Sequence, residues 1–326
     1  MRSFTDLSIF ALILNSNKEY KKTNLMIRRC IELDIDLPML VKMIREDPGY
    51  IETQIPSLKG YCHQVQPDLD STLQATTLIL EWCDEYRIQI LTEVNDTIPT
   101  RILHDMPLTH PPVLFCWGND ALVESPSVGI IGARRASAKG KQIAKEMAQT
   151  LSNEGYAIVS GFAYGIDQYA HLGAIQGETG SIFVLSMPLD QFPSQGVAEL
   201  MEHSEKVLLI SQFPPFIPTE KNAPMVRNQT ITALSNQLVV LEAGTKSGTI
   251  ATARGCIRKH KPLFVAAFPE SESPDGNREL LNGGIAQPLP VHGDGVDLAK
   301  SLLKKLQSHP KRCMKKQWLN SFNGNW

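Results

Sequence analysis

The chain has 326 residues, 42% of them hydrophobic and 20% charged, proportions of a folded globular protein with enough apolar content for a sizeable core. Its formal net charge of -2 offers no whole-chain attraction for a polyanion, so any nucleic-acid site must come from local placement of Lys and Arg. The six cysteines, Cys30, Cys62, Cys83, Cys116, Cys256 and Cys313, form no C-x-x-C pair and have no His at zinc-finger spacing, which points to reduced thiols and no metal site.

Residues 1–85 carry apolar positions at helical spacing, as in Leu7, Phe10, Ala11 and Leu14 and again in Met26, Ile27, Cys30 and Ile31, and predict a small helical domain. Pro48 with Gly49, and the polar run through Pro67, Asp68 and Asp70, punctuate it. The apolar stretch Ile9 to Leu14 is short for a signal-peptide core, and no run reaches the roughly 20 apolar residues of a membrane-spanning helix. The expectation is a cytoplasmic protein with no membrane partner.

From about residue 125 short apolar runs alternate with amphipathic stretches: Val128 to Ile131, Ala157 to Val159, Ile182 to Leu185, Val207 to Ile210, Leu238 to Leu241 and Leu263 to Ala266. This βαβ rhythm predicts a doubly wound parallel sheet over residues 86–298, an α/β domain of extended Rossmann-like type. The remainder, 299–326, holds no acidic residue but carries Lys300, Lys304, Lys305, Lys311, Arg312, Lys315 and Lys316, then Trp318, Phe322 and Trp326, a basic tail tipped with aromatics.

Ligands of such sheets bind beyond the carboxyl ends of the strands, where helix N-termini present free backbone N–H groups, so the loops after each run are the places to look. The first reads Gly132-Ala133-Arg134-Arg135-Ala136-Ser137, with Lys139 following. It is either a phosphate-binding turn or an ordinary βα loop with two solvated arginines. The second reads Ser160-Gly161-Phe162-Ala163-Tyr164-Gly165-Ile166-Asp167, with His171 a helical turn later. Ser160 and the two glycines suit a phosphate and Tyr164 suits base stacking, while Asp167 is read as a helix cap and His171 as a packed residue orienting a neighbour.

After the fifth run comes Glu242-Ala243-Gly244-Thr245-Lys246-Ser247-Gly248-Thr249, a candidate phosphate cradle without Walker A spacing. The first loop likewise lacks G-x-G-x-x-G, which disfavours a dinucleotide dehydrogenase. A proline-rich loop, Phe213 to Pro224, leads into Arg227-Asn228, which read either as phosphate and base contacts or as an ordinary first helical turn.

The order and wording of these motifs closely resemble the DNA-processing protein A (DprA/Smf) family over roughly residues 86 to 290. The likeness runs through Pro111-Pro112-Val113-Leu114-Phe115-Cys116-Trp117-Gly118-Asn119, Gly132-Ala133-Arg134, the Ser160 to Asp167 loop with Ala170-His171, Leu189-Asp190 with Phe192-Pro193, Arg227-Asn228, and Glu242 with Ser247-Gly248-Thr249 and Thr252-Ala253. The resemblance implies an extended Rossmann fold, single-stranded DNA held in a basic pocket, a homodimer, RecA as a partner loaded during natural transformation, no cofactor and no catalytic turnover. On that basis Arg134, Lys139, Lys246 and Arg227 are expected around the pocket and Tyr164 or Phe162 against a base.

Departures from the family pattern are Gln229 in place of a second Arg, Gln212 where an acidic residue is common, and Ala223-Pro224 where an aromatic is frequent. The stretch after the sheet domain is too short for the winged-helix domain that some members carry. A rival reading is a nucleotide sensor or phosphoribohydrolase, which needs a catalytic Glu beside a Gly-Gly-x-Gly-Thr loop. Glu242 precedes Ala243-Gly244-Thr245 without a tandem glycine. A third is an interacting subunit that docks a partner through its helical N-terminal region.

Overall fold

The computed structural model describes residues 4–14, 20–56, 59, 68–193, 200, 202–284 and 286–308. The end of the basic tail, Pro67, Cys62 and Cys313 lie outside the described residues. Two compact units divide the chain, the first made of 1–120, 184–204 and 208–233 and the second of 121–183, 205–207 and 234–326. This division is interleaved in sequence, unlike the expected boundaries at residues 85 and 298.

The first unit begins with four helices, α1 (Thr5–Leu14), α2 (Tyr20–Glu32), α3 (Leu37–Glu46) and α4 (Pro48–Gln54), followed by the longer α5 (Leu69–Glu85). Asp36 and Asp47 cap α3 and α4 by accepting the N–H groups of Met39 at 3.0 Å and Tyr50 at 2.9 Å, each with a Pro in the first helical turn where its missing donor costs nothing. The faces anticipated from periodicity meet: Leu7, Phe10, Ala11, Met26, Ile27 and Cys30 pack with Leu40, Ile44, Ile51 and Leu69 in one core. Ile31 is the exception and stays exposed.

The same unit contains strands β1 (Gln89–Thr92) and β2 (Val113–Gly118), with α6 (Thr100–Asp105) between them. β2 pairs antiparallel with β1 (Gln89 opposite Cys116) and with β6 (Val207–Ser211; Phe115 opposite Ser211). The Pro111 to Asn119 stretch, read from sequence as a lead-in, is therefore itself a buried strand. Helix α9 (Ala223–Leu234) carries Arg227 and Asn228 beyond its first turn.

In the second unit β3 (Ser127–Ile131), β4 (Ala157–Ser160), β5 (Ser181–Leu185, its last two residues falling in the first unit), β7 (Gln237–Val240), β8 (Leu263–Ala267) and β9 (Gln287–Pro290) run parallel. The full strand order is β1-β2-β6-β5-β4-β3-β7-β8-β9, a mixed, mostly parallel α/β sheet of the expected Rossmann-like kind. Each parallel strand of the interior is buried along its length, which is why the sequence shows continuous apolar runs there.

Helices α7 (Ala138–Asn153), α8 (Ile166–Gln176), α10 (Gly248–Arg258), α11 (Asp275–Asn282) and α12 (Gly295–Ser308) complete the unit. Ile143, Met147 and Leu151 of α7 pack with Val128, Ile158 and Val239 of the sheet and with Leu298, Ala299 and Leu302 of α12. The first third of the predicted tail is thus a packed helix that begins before residue 299. β9 holds two prolines in four residues, tolerated because it is the edge strand.

Candidate nucleic-acid interface

The order in which successive strands are added to the sheet reverses at the parallel pair β3 and β7, with β4 and β5 on one side and β8 and β9 on the other. That is the topological switch point of an open parallel sheet, where the loops after the two central strands diverge and leave a crevice. The loops after β3, β4 and β7 all belong to the second unit, and the fold bonds them to one another. The Ala133 N–H donates to the Glu242 carbonyl at 2.7 Å, the Ile166 N–H to the Ala133 carbonyl at 3.3 Å, and the Thr249 hydroxyl to the Gly132 carbonyl at 3.1 Å.

Two glycines permit this convergence. Gly165 has φ +85°, and a Cβ there would collide with the backbone oxygens of Ala133 and Arg134. Gly132 takes ordinary φ, but the Ile166 side chain fills the space a Cβ would need. Its small size serves loop packing, a different reason from the tight phosphate turn expected from sequence.

Several of the expected phosphate donors are committed inside the protein. Ser160 is fully buried and its hydroxyl donates to the Ile130 carbonyl at 2.6 Å. Ser247 caps α10 by accepting the Ile250 N–H at 3.3 Å. At the start of α7, where an incoming anion would be favoured, the position is filled by the chain's own carboxylate: Glu242 accepts the Ser137 N–H at 2.9 Å and the Ser137 hydroxyl, and Ser137 in turn accepts the Gly140 N–H at 2.9 Å.

Asp167 sits in the first turn of α8 but does not cap it; its carboxylate accepts the Gly161 N–H at 3.2 Å and fixes the preceding loop. His171 behaves as an orienting residue. Its Nε2 accepts the Phe162 N–H at 3.2 Å, so the ring proton sits on Nδ1, which donates to Ser181 Oγ at 2.8 Å, and the Ser181 hydroxyl donates in turn to the Ile158 carbonyl at 2.9 Å. The imidazole lies flat on Phe183, centroids 3.6 Å apart, with Phe162 tilted alongside.

What remains outward is compact and mostly cationic. Arg134, Arg135, Lys139 and Lys246 are exposed, and Tyr164 is 76% exposed, the most exposed of the large hydrophobic side chains described. Among the described residues no partner is found for the side chains of Arg134, Arg135, Tyr164 or Lys246, whereas Lys139 pairs with Glu272 at 2.7 Å. Phe162 and Lys246 both adopt left-handed backbone, φ +57° and +53°, strained for residues with side chains.

Arg227 and Asn228 belong to the first unit. Arg227 is buried and its guanidinium donates to the Val184 carbonyl and to Asn228 Oδ1, so this side chain ties α9 to the end of β5 and is not an open phosphate fork. Gln212, one of the departures, is buried there between the Tyr20 hydroxyl at 3.0 Å and the Thr230 hydroxyl at 2.6 Å.

Sequence reasoning missed Asn277. Fully buried on α11, it donates to the carbonyls of Leu241 and Ala266 and accepts the Ala243 N–H, pinning the start of the β7 loop. Its place in an otherwise ordinary polar helix gave no signal. The described residues contain no cluster of three or more His, Cys, Asp or Glu side chains able to hold a metal, and no described helix is long and apolar enough to cross a membrane.

The sequence profile of the family described as DNA recombination-mediator protein A matches residues 89–299, well over half of the chain. The chain belongs to this family. Its relatives include Protein Smf of Synechocystis sp., 30% identical over 202 residues, covering 60% of this chain and 50% of that protein. DNA processing protein DprA of Bacillus subtilis is 30% identical over 157 residues, 48% of this chain and 53% of that protein. The chain thus spans about half the length of these curated relatives.

Among solved structures, DNA processing protein A of Helicobacter pylori, described for its single-stranded DNA binding mode, matches with a TM-score of 0.58 and 29% identity over 68% of this chain and 97% of that one. The X-ray structure of DprA from Streptococcus pneumoniae matches with a TM-score of 0.68 over 92% of this chain and 98% of that one, and at 22% identity it speaks for the fold. The membership agrees with the resemblance read from the ordered motifs.

Proposed function

We propose that the chain binds single-stranded DNA on the loops after β3, β4 and β7, without catalytic turnover, and serves to pass the strand to a RecA-type recombinase. The observation that carries the reading is Tyr164, held outward at 76% exposure on a loop bonded to the one bearing Arg134 and Arg135, which in turn is bonded to the one bearing Lys246. An exposed aromatic beside unpaired cations suits a strand whose bases are free to stack and whose phosphates need charge. Family membership and the single-stranded DNA binding mode of the Helicobacter pylori protein support the same reading.

Against the phosphoribohydrolase alternative stands the engagement of Glu242, whose two carboxylate oxygens are both taken by Ser137. The working contact set is Arg134, Arg135, Lys139, Tyr164 and Lys246, with Gly132, Ser160, Gly161, Gly165, Ser247, Gly248 and Thr249 shaping the loops. Arg227 and Asn228 act by holding α9.

Fluorescence anisotropy with a labelled oligothymidylate tests this. Base stacking is worth about 1–3 kcal/mol per base, so Tyr164→Ala should weaken binding by roughly 5- to 150-fold. Arg134→Ala with Lys246→Ala should lower affinity and flatten the plot of log affinity against log salt by about 0.7 for every phosphate that is no longer neutralised. Unchanged affinity and slope in both variants, or equally tight binding of duplex DNA, would overturn the reading.

A further inference from the structure

The first unit holds a pocket of about 490 Å³ that shares no residue with the loops after β3, β4 and β7. It opens at the carboxyl end of β6, where Gln212 follows Ser211, and at Pro111, just ahead of β2. Ligands of α/β sheets bind beyond strand ends of this kind, and the volume falls within the roughly 300–1,000 Å³ of small-molecule sites. Met106, Pro111 and Val226 give it apolar walls.

Buried polar groups form its base. The Thr230 hydroxyl donates to Gln212 Oε1 at 2.6 Å, and Gln212 Nε2 donates to the Tyr20 hydroxyl at 3.0 Å. Tyr20 therefore accepts one hydrogen bond and keeps its own O–H proton, for which no acceptor is found among the described residues. The residue is only 7% exposed, and a donor so buried calls for an acceptor. Burial, with a smaller push from the Glu220 charge, holds the phenol at about 12 against the Gln212 bond, so it remains a donor at neutral pH.

The rim adds charge and an amide. Lys21, Lys22, Thr109 and Gln229 line the pocket and are exposed, and among the described residues no carboxylate lines it. Glu220 lines a separate cavity of about 140 Å³. The side chains of Lys21, Thr109 and Gln229 have no partner among the described residues. Helix α2 has no acidic residue in its first turn, so both lysines stand at the positive end of its dipole, a placement that an anion would relieve. Gln229 replaces the second Arg of the family pattern with an amide, which offers a donor and an acceptor together to a base edge.

We propose that this pocket binds a nucleotide, its phosphate on Lys21 and Lys22, its base against Met106, Pro111 and Val226 with an edge on Gln229, and an acceptor oxygen on the Tyr20 hydroxyl. An inorganic anion would leave the apolar walls unused, and an apolar ligand would leave the lysines unused. The nucleotide is either free or one residue of a bound strand, and the test separates these sources.

Isothermal titration calorimetry of the full chain with dAMP, inorganic phosphate and an oligodeoxyadenylate provides that test. dAMP should bind at one site per chain and at least about tenfold more tightly than phosphate, which lacks the base. Lys21→Ala and Gln229→Ala, both at exposed positions, should each weaken dAMP by about fivefold or more with the melting temperature unchanged. Tyr164→Ala should leave dAMP binding as it was. If free dAMP does not bind but both pocket variants weaken the oligodeoxyadenylate by that factor, the nucleotide belongs to the strand. If neither ligand loses affinity in both variants, or phosphate binds as tightly as dAMP, the proposal is overturned. Loss of the dAMP site in Tyr164→Ala would overturn it too, by moving the nucleotide to the strand-end loops. The reading of those loops stands or falls separately, on Tyr164 and Arg134.

Discussion

Gly165 illustrates how much one residue can decide. Its φ of +85° with ψ near -127° lies where only glycine is comfortable, and the two carbonyl oxygens facing it leave no room for a methyl group. Gly165→Ala should therefore cost more than about 2 kcal/mol, combining backbone strain with displacement of the Ala133 loop. Urea unfolding would show it as a lowered midpoint, and a variant as stable as the parent would mean the loops are not locked together as described. Ser160 and Arg227 show the converse. Both have the right chemistry for phosphate, and both are turned inward onto the backbone carbonyls of Ile130 and Val184.

At the scale of elements, the parallel strands of the sheet interior were readable because burial on both faces leaves continuous apolar runs. β1, β2 and β9 were not: the edge strands β1 and β9 are buried over only part of their length, so they leave no continuous apolar run, and β9 is half proline. β2 has the composition of a buried strand but no following helix, so the βαβ rhythm passes over it. The β7 loop owes its shape to Asn277 on α11, three of whose hydrogen bonds reach Leu241, Ala243 and Ala266. Asn277→Ala would strand these backbone groups away from water, and each unsatisfied buried group costs about 1–3 kcal/mol. The expected result is a loss of at least about 2 kcal/mol in chemical denaturation together with weakened strand binding through misplacement of Lys246. Wild-type stability would show that water replaces the side chain at no cost.

For the molecule as a whole, buried titrating groups set a limit on the alkaline side. Burial pushes the thiols of Cys30 and Cys83 up from the ordinary 9.0 to about 12, with the Asp84 charge adding to the second. Burial also raises Cys116, with Asp120 adding, and lifts the Tyr20 hydroxyl from 10.0 to about 12 despite the opposing bond from Gln212. Each group stays protonated in the folded chain while its unfolded counterpart ionises. Above pH 9 the unfolded state binds fewer protons, so stability is whole below that value and falls as pH rises through the window to about 12. A urea midpoint that declines from pH 9 upward, with Cys30, Cys83 and Cys116 resisting alkylation in the native protein at neutral pH, is the expected observation. A flat midpoint, or rapid native-state alkylation, would contradict the burial.

By itself the sequence determined the class of fold, the family and the identity of the three loops, because apolar runs and ordered motifs are local properties of the chain. It also put Tyr164 and Arg134 on those loops. Only the tertiary structure decided which polar side chains face solvent. Whether a serine, glutamate or arginine meets a phosphate or a backbone carbonyl depends on which carbonyls the fold leaves without a partner nearby, and that is a property of strands distant in sequence. The same reason hid Asn277, kept Glu242 at the start of α7, and brought Gln212 onto Tyr20 from more than a hundred residues away.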